Sequence, residues 1–114
     1  HRELERGDLI AAESDYRKAL QLAIEANKLS RMVTASDALI GLLLASGRVD
    51  DANEVMTGVL ARDPQLADRD YDSAVLLMRV RQAQGDDEGW RRAARSARQL
   101  AGERVVPAGL LPPD

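Results

Sequence analysis

One pattern restricts what this chain can fold into: a glycine followed at fixed offsets by small or apolar residues, used three times. Gly47 is followed by Ala52, Met56, Val59 and Leu60, with Pro64 closing the run. Gly7 is followed by Ala12, Tyr16, Ala19 and Leu20, and Gly85 by Trp90, Ala94, Ala97 and Arg98. The glycines stand 40 and then 38 positions apart (7 to 47, 47 to 85). Offsets of 5, 9, 12 and 13 fall on one stripe of a helix with 3.6 residues per turn. A spacing in the range of about 20 to 50 residues marks a repeat of one supersecondary unit.

The residues around each glycine give the unit its form. Glycine adopts the left-handed conformation that ends a helix, and carboxylates in the following turn meet the positive end of the next helix dipole. Asp8, Asp50, Asp51, Asp86, Asp87 and Glu88 stand at those places. Upstream of Gly47, Met32, Ser36, Leu39, Ile40 and Leu43 share one helical face; upstream of Gly85, Tyr71, Ala74, Leu77, Met78 and Arg81 do the same. The pattern predicts an all-α fold of antiparallel helix pairs, with helices at about 8–28, 30–46, 48–61, 67–84 and 86–101. "HRELER" is too short for a helix of its own, so the first unit is expected to keep only its second helix. The tail "GERVVPAGLLPPD" carries three prolines, which forbid further helix. Its Val105, Val106, Leu110 and Leu111 either fold back as a cap or run on as a linker.

Composition agrees with packed helices. Phenylalanine is absent, and one Trp and two Tyr leave the core to Leu, Ala, Val, Ile and Met. A sandwich or barrel draws on more aromatic and β-branched residues. The 114 residues suit one continuous core, and 45% hydrophobic with 31% charged residues lies far from disorder. A net charge of −3 gives no global attraction to nucleic acid or anionic lipid. Without cysteine there is neither a disulfide nor a thiolate metal site. The apolar run "ALIGLLLA" is far shorter than the roughly 18 to 20 residues that span a bilayer. The chain starts at His1 without Met, which suggests a piece of a longer protein.

The run from Gly47 to Pro64 resembles the second half of a tetratricopeptide (TPR) repeat. Leu39 and Leu43 match places in the family's first helix, while Ser36 stands where Trp is usual and Ile40 where Gly is preferred. Trp90 and Arg98 depart from the pattern in the last unit. The resemblance covers residues 1 to about 101, two and a half units, and leaves 102–114 as a tail or cap. It implies helix pairs stacked as a short right-handed solenoid whose first helices line a concave groove for a partner's peptide or helix. Carried over by position, the groove residues are Thr34, Asp37, Gly41, Leu44 and Ala45, then Asp72, Val75, Arg79 and Gln82. The carboxylate clamp found in some members is not matched, because Asp37, Gly41 and Val75 occupy most of its places and only Arg79 is of the right kind.

Chemistry finds little to work with. The only histidine is His1, so no Ser-His-Asp or Cys-His arrangement can be assembled. There is no phosphate-binding glycine loop and no two-histidine metal motif. "DRDYD" at 68–72 alternates aspartates like a calcium loop, but Ser73 replaces the turn glycine and Arg79 the last carboxylate. It reads better as a helix cap near residue 70. Arg91, Arg95 and Arg98, with Arg92 beside them, form either an acid-binding stripe or a solvated outer face, and Trp90 either a core ring or an interface residue.

The expectation is a protein–protein interaction scaffold, not an enzyme, with no cofactor and no metal. It is a TPR-like segment of a larger protein, and 14 Arg against 2 Lys suggests a GC-rich bacterial source. The parent would be a multidomain regulator in the cytoplasm, or an envelope or secretion assembly reaching the periplasm. The alternative is a homo-oligomerisation module, a homodimer formed through the uncovered first helix, with Leu9 and Tyr16 left exposed. Nucleic acid is the remaining partner class, through the arginine face.

Overall fold

A computed structural model describes residues 2–102 and 108–112. Among them it is helical throughout, with no strand: α1 Arg2–Glu25, α2 Leu29–Ala45, α3 Val49–Arg62, α4 Leu66–Arg69, α5 Tyr71–Gln84 and α6 Asp87–Ala101, then a 3-10 turn at Ala108–Leu110. The all-α expectation holds. The chain divides into two compact units, 1–55 and 56–114, with the boundary inside α3.

In the first unit α1 and α2 pack against each other and are joined by a tight turn. Asn27 provides it at φ 54°: its N–H donates to Ile24 O at 3.0 Å, and the Lys28 N–H to Ala23 O at 3.0 Å. That pair of bonds is the Schellman arrangement, which satisfies carbonyls left over at a helix end. Asparagine tolerates a left-handed backbone better than other side chains. Gly47 repeats the arrangement at φ 74°, with Gly47 N–H bonded to Leu44 O and Arg48 N–H to Leu43 O at 2.8 Å. The first turn is therefore at Asn27, and the turn expected at Gly7 is absent. Gly7 lies inside α1, because helix formers on both sides carry the helix through a glycine that costs only about 1 kcal/mol. "HRELER" belongs to the start of the same helix from Arg2 onward, and Asp8 is not a first-turn carboxylate.

The buried face of α2 consists of Met32, Ala35, Ser36, Leu39, Ile40 and Leu43. Ala23 of α1 and Ala52 and Val55 of α3 are buried in the same unit. The Ser36 hydroxyl is fully buried and has no hydrogen-bond partner. A polar cluster ties α1 to the start of α3. The Glu13 carboxylate accepts from both terminal nitrogens of Arg48 and from Arg17 Nε at 2.9 Å, while Arg48 Nε reaches Asp51 at 2.8 Å.

In the second unit the helix expected over 67–84 is broken into α4 and α5. Asp70 causes the break. Its backbone is extended (φ −119°, ψ 118°), and its carboxylate accepts from the Ser73 N–H at 3.0 Å and the Ser73 hydroxyl at 2.6 Å. This is N-capping of α5, as read from "DRDYD". Gly85, at φ 72°, ends α5 with the third Schellman turn, and Asp86 caps α6 through the Gly89 N–H at 3.0 Å. Helix α5 is buried on two sides: Ala74 and Met78 meet Ala93, Ala94, Ala97 and Ala101, while Ser73, Leu76 and Val80 are buried opposite. Alanine along α6 permits that close contact. Helix α4 packs on both α5 and α6, and Arg69 pairs with Asp63 beside it.

Candidate functional site

Two surfaces stand out, one in each unit. The first is a groove of about 550 Å³ between α1 and α2. Its floor is made of small side chains, Ala19 and Ala23 from α1 with Ala35 and Ala38 from α2. Tyr16, Leu22, Ser30, Arg31 and Thr34 line the remainder. Alanines at helical spacing on two adjacent helices hold the side-chain layer low, so an open trough lies where larger residues would close it. Leu22 is 64% exposed. The Thr34 hydroxyl is turned back onto Ser30 O at 3.0 Å, so it presents its methyl group without an unsatisfied donor.

The apolar surface continues along α1 through Leu9 at 45% exposure, while Ile10 at 67% lies on another face among Glu13, Ser14, Arg17, Lys18 and Gln21. Leu9 lies on the same helical stripe as Tyr16 and Ala23. It stays exposed for a simple reason of length. At 1.5 Å per residue, α1 with 24 residues is about 36 Å long and α2 with 17 about 26 Å. Arg48, just past the end of α2, is level with Glu13, so the part of α1 before Glu13 runs beyond α2.

Of the residues assigned to a groove, Thr34, Asp37, Gly41 and Leu44 lie on α2 in the first unit; Thr34 and Asp37 are exposed, Gly41 and Leu44 half-buried. Thr34 shares the α1–α2 groove with Tyr16, which was expected to stay exposed for self-association and is half-buried instead, because it packs along the groove. Val75, Arg79 and Gln82 lie on α5 in the second unit, Val75 and Arg79 half-buried and Gln82 exposed. Leu22, Ile10, Arg31 and the alanine floor were not singled out. The sequence signal for Leu22 existed, an apolar residue one position off the stripe, but single apolar residues on a surface are common.

The second surface is where the tail meets α5 and α6. Trp90 Nε1 donates to Leu110 O at 2.7 Å, and Gln82 Nε2 to Gly109 O at 3.4 Å. Leu110 and Leu111 pack on the alanine cluster together with Tyr71, Val75, Leu77, Trp90 and Leu100. The described part of the tail folds back as a cap, and the half-buried Trp90 ring packs on the core. Val105 and Val106 lie outside the described residues. On the outer face of α6, Arg91, Arg92, Arg95 and Arg98 are exposed, with Arg92 paired to Glu88 at 3.4 Å.

Among the described residues no group of His, Cys, Asp or Glu is placed to hold a metal ion, and no helix is long and apolar enough to cross a membrane. Glu13 is held below its ordinary range by hydrogen bonds from Arg48 and then Arg17; the same contact raises Arg48. These are structural ion pairs on a surface. Compared with protein-family models, with curated proteins and with solved structures, the chain has no match in any of the three.

Proposed function

We propose that this chain is a protein-interaction module of the helical-repeat kind, a TPR-like segment of a larger bacterial scaffold, which holds a helix or peptide of another protein. The observation that carries the reading is the α1–α2 groove, apolar in its floor and rimmed by Tyr16, Thr34 and Arg31. Helix-in-groove recognition places apolar residues of an amphipathic helix in such a trough, and its polar rim sets orientation. Helix pairs joined by left-handed turns are what the TPR-like reading expects, and in that reading the first helices α2 and α5 present Thr34, Asp37, Gly41, Leu44, Val75, Arg79 and Gln82.

A test uses the native partner captured by the full chain. Ala38→Trp fills the groove floor and is expected to abolish capture while the helical circular dichroism is kept. Capture that survives Ala38→Trp and Arg79→Glu but is lost with Arg95→Glu assigns the site to the arginine face of α6 instead.

A second reading, self-association, has its own observation: Leu9, Ile10 and Leu22 are large apolar side chains left exposed on α1. Burial of such side chains favours dimerisation by about 25 cal/mol per Å², less the entropy of association. Sedimentation at rising concentration separates the two readings. A dimer lost in Ile10→Asp and Leu22→Asp supports self-association, and a monomer at high micromolar concentration removes it.

A further inference from the structure

The described part of the tail makes contacts of two kinds with the second unit. Its backbone carbonyls at Gly109 and Leu110 accept from Gln82 and from the indole of Trp90, and its two leucines lie on the alanine cluster of α5 and α6. Recognition of a short peptide uses the same division of labour, with main-chain hydrogen bonds for register and apolar surface for side-chain choice. Both donors are neutral and both acceptors are main-chain carbonyls, which are the contacts of peptide-backbone recognition. Trp90 has its N–H engaged and its half-buried ring packed on the same cluster. Leu110 and Leu111 are only half-buried, and the contact rests on non-covalent groups that a second peptide can supply equally.

We propose that the α5–α6 face is a docking surface for a short peptide with two adjacent leucines, that Gly109–Leu111 is its resident occupant, and that a partner enters by replacing the tail. The inference goes beyond the interaction reading above. It concerns the other unit and stands whether or not the α1–α2 groove holds a helix. A tethered occupant competes at an effective concentration of about the millimolar range for a short linker. The tail therefore excludes weak ligands and yields only to a peptide that binds more tightly or is itself held nearby.

The experiment uses the full chain, wild type and with Leu110→Asp and Leu111→Asp together. The probe is a synthetic peptide of residues 102–114, with the same double aspartate change as its control. Trp90 is the only tryptophan, so its emission and its indole N–H resonance report this site alone. The aspartate variant is expected to bind the wild-type peptide with Kd of about 0.1 mM, and the intact chain about ten-fold more weakly, because its own tail competes at about 1 mM. At saturation the indole resonance of the variant returns to its position in the intact chain, and the control peptide does not move it. If aspartate disrupts the helices, Leu110→Ala with Leu111→Ala replaces it, with the same ranking expected. An indole that stays unmoved by wild-type peptide in a helical variant overturns the proposal. So does loss of helix in the alanine pair, since the tail is then an integral part of the unit.

Discussion

Leu43 and Leu22 are the same residue type on adjacent helices with opposite surroundings, and the pair makes a quantitative test of the first unit. Leu43 is 0% exposed on the inner face of α2, whereas Leu22 is 64% exposed on α1. Leu43→Ala removes three buried carbons, worth about 0.8 kcal/mol each in transfer, or about 2.4 kcal/mol before any cavity is counted. A residual cavity adds to this, and the total for such sites lies at about 2.7 to 5 kcal/mol. Its main-chain carbonyl still accepts the Arg48 N–H, so the turn at Gly47 is untouched and the loss belongs to packing. Leu22→Ala, by contrast, gives up little buried surface and gains slightly in helix propensity, for a change within about 0.5 kcal/mol of zero. Urea unfolding followed by circular dichroism measures both, with equal m-values as the check that the unfolded states are comparable. The reasoning is refuted if the two substitutions cost the same within 0.5 kcal/mol (roughly the surface-site scale), or if Leu22→Ala is the costlier.

Three other outcomes follow from particular side chains. Ser36→Ala removes a buried hydroxyl with no partner and is expected to stabilise the chain by about 1 kcal/mol, on the scale of an unsatisfied polar group; a loss of that size in urea unfolding means that the hydroxyl is bonded. Gly58→Ala, at an exposed position inside α3 where an added Cβ meets nothing, is expected to raise stability by about 0.5 to 1 kcal/mol; thermal unfolding shows whether the midpoint moves up. Glu13 has its folded-state pKa depressed by Arg48 and Arg17, so its contribution is fully present above its ordinary value of 4.5 and is lost as pH falls through the folded value below that. The Tm advantage of wild type over Glu13→Gln is therefore expected to be constant near neutrality and to shrink in the acid range beneath pH 4.5; an advantage that persists unchanged at the lowest pH assigns the effect to shape, not charge.

The helices were legible because their period and their stops are local. Gly47 and Gly85 both take the left-handed turn that their neighbours announced, and the Asp70 cap was readable from "DRDYD". Gly7 was misread because a glycine inside a helix and a glycine ending one look alike when only spacing is used. The helix end near Asn27 was expected, but not its left-handed turn, because Asn27 does a glycine's work without being one. The break between α4 and α5 escaped because the apolar period runs through it, and only the extended backbone at Asp70 shows the interruption. Of the surfaces, the alanine floor was visible as residues but not as a trough, since its depth depends on how two helices lie together. The bond from Trp90 to Leu110 joins positions 20 apart, which no periodicity encodes.

The tight turns at Asn27 and Gly85 have a kinetic consequence. Each joins two helices that pack on one another, so the principal contacts of either unit form between neighbours in sequence. Closing a short connection costs little chain entropy, and folding speed across small proteins rises as contacts become more local. Helix pairs of this kind can form in the microsecond-to-millisecond range typical of helical domains. During synthesis α1 and α2 can pair as soon as both have emerged, before α5 and α6 exist. A nascent chain then carries its alanine-floored groove into solution early, while the rest is still being made.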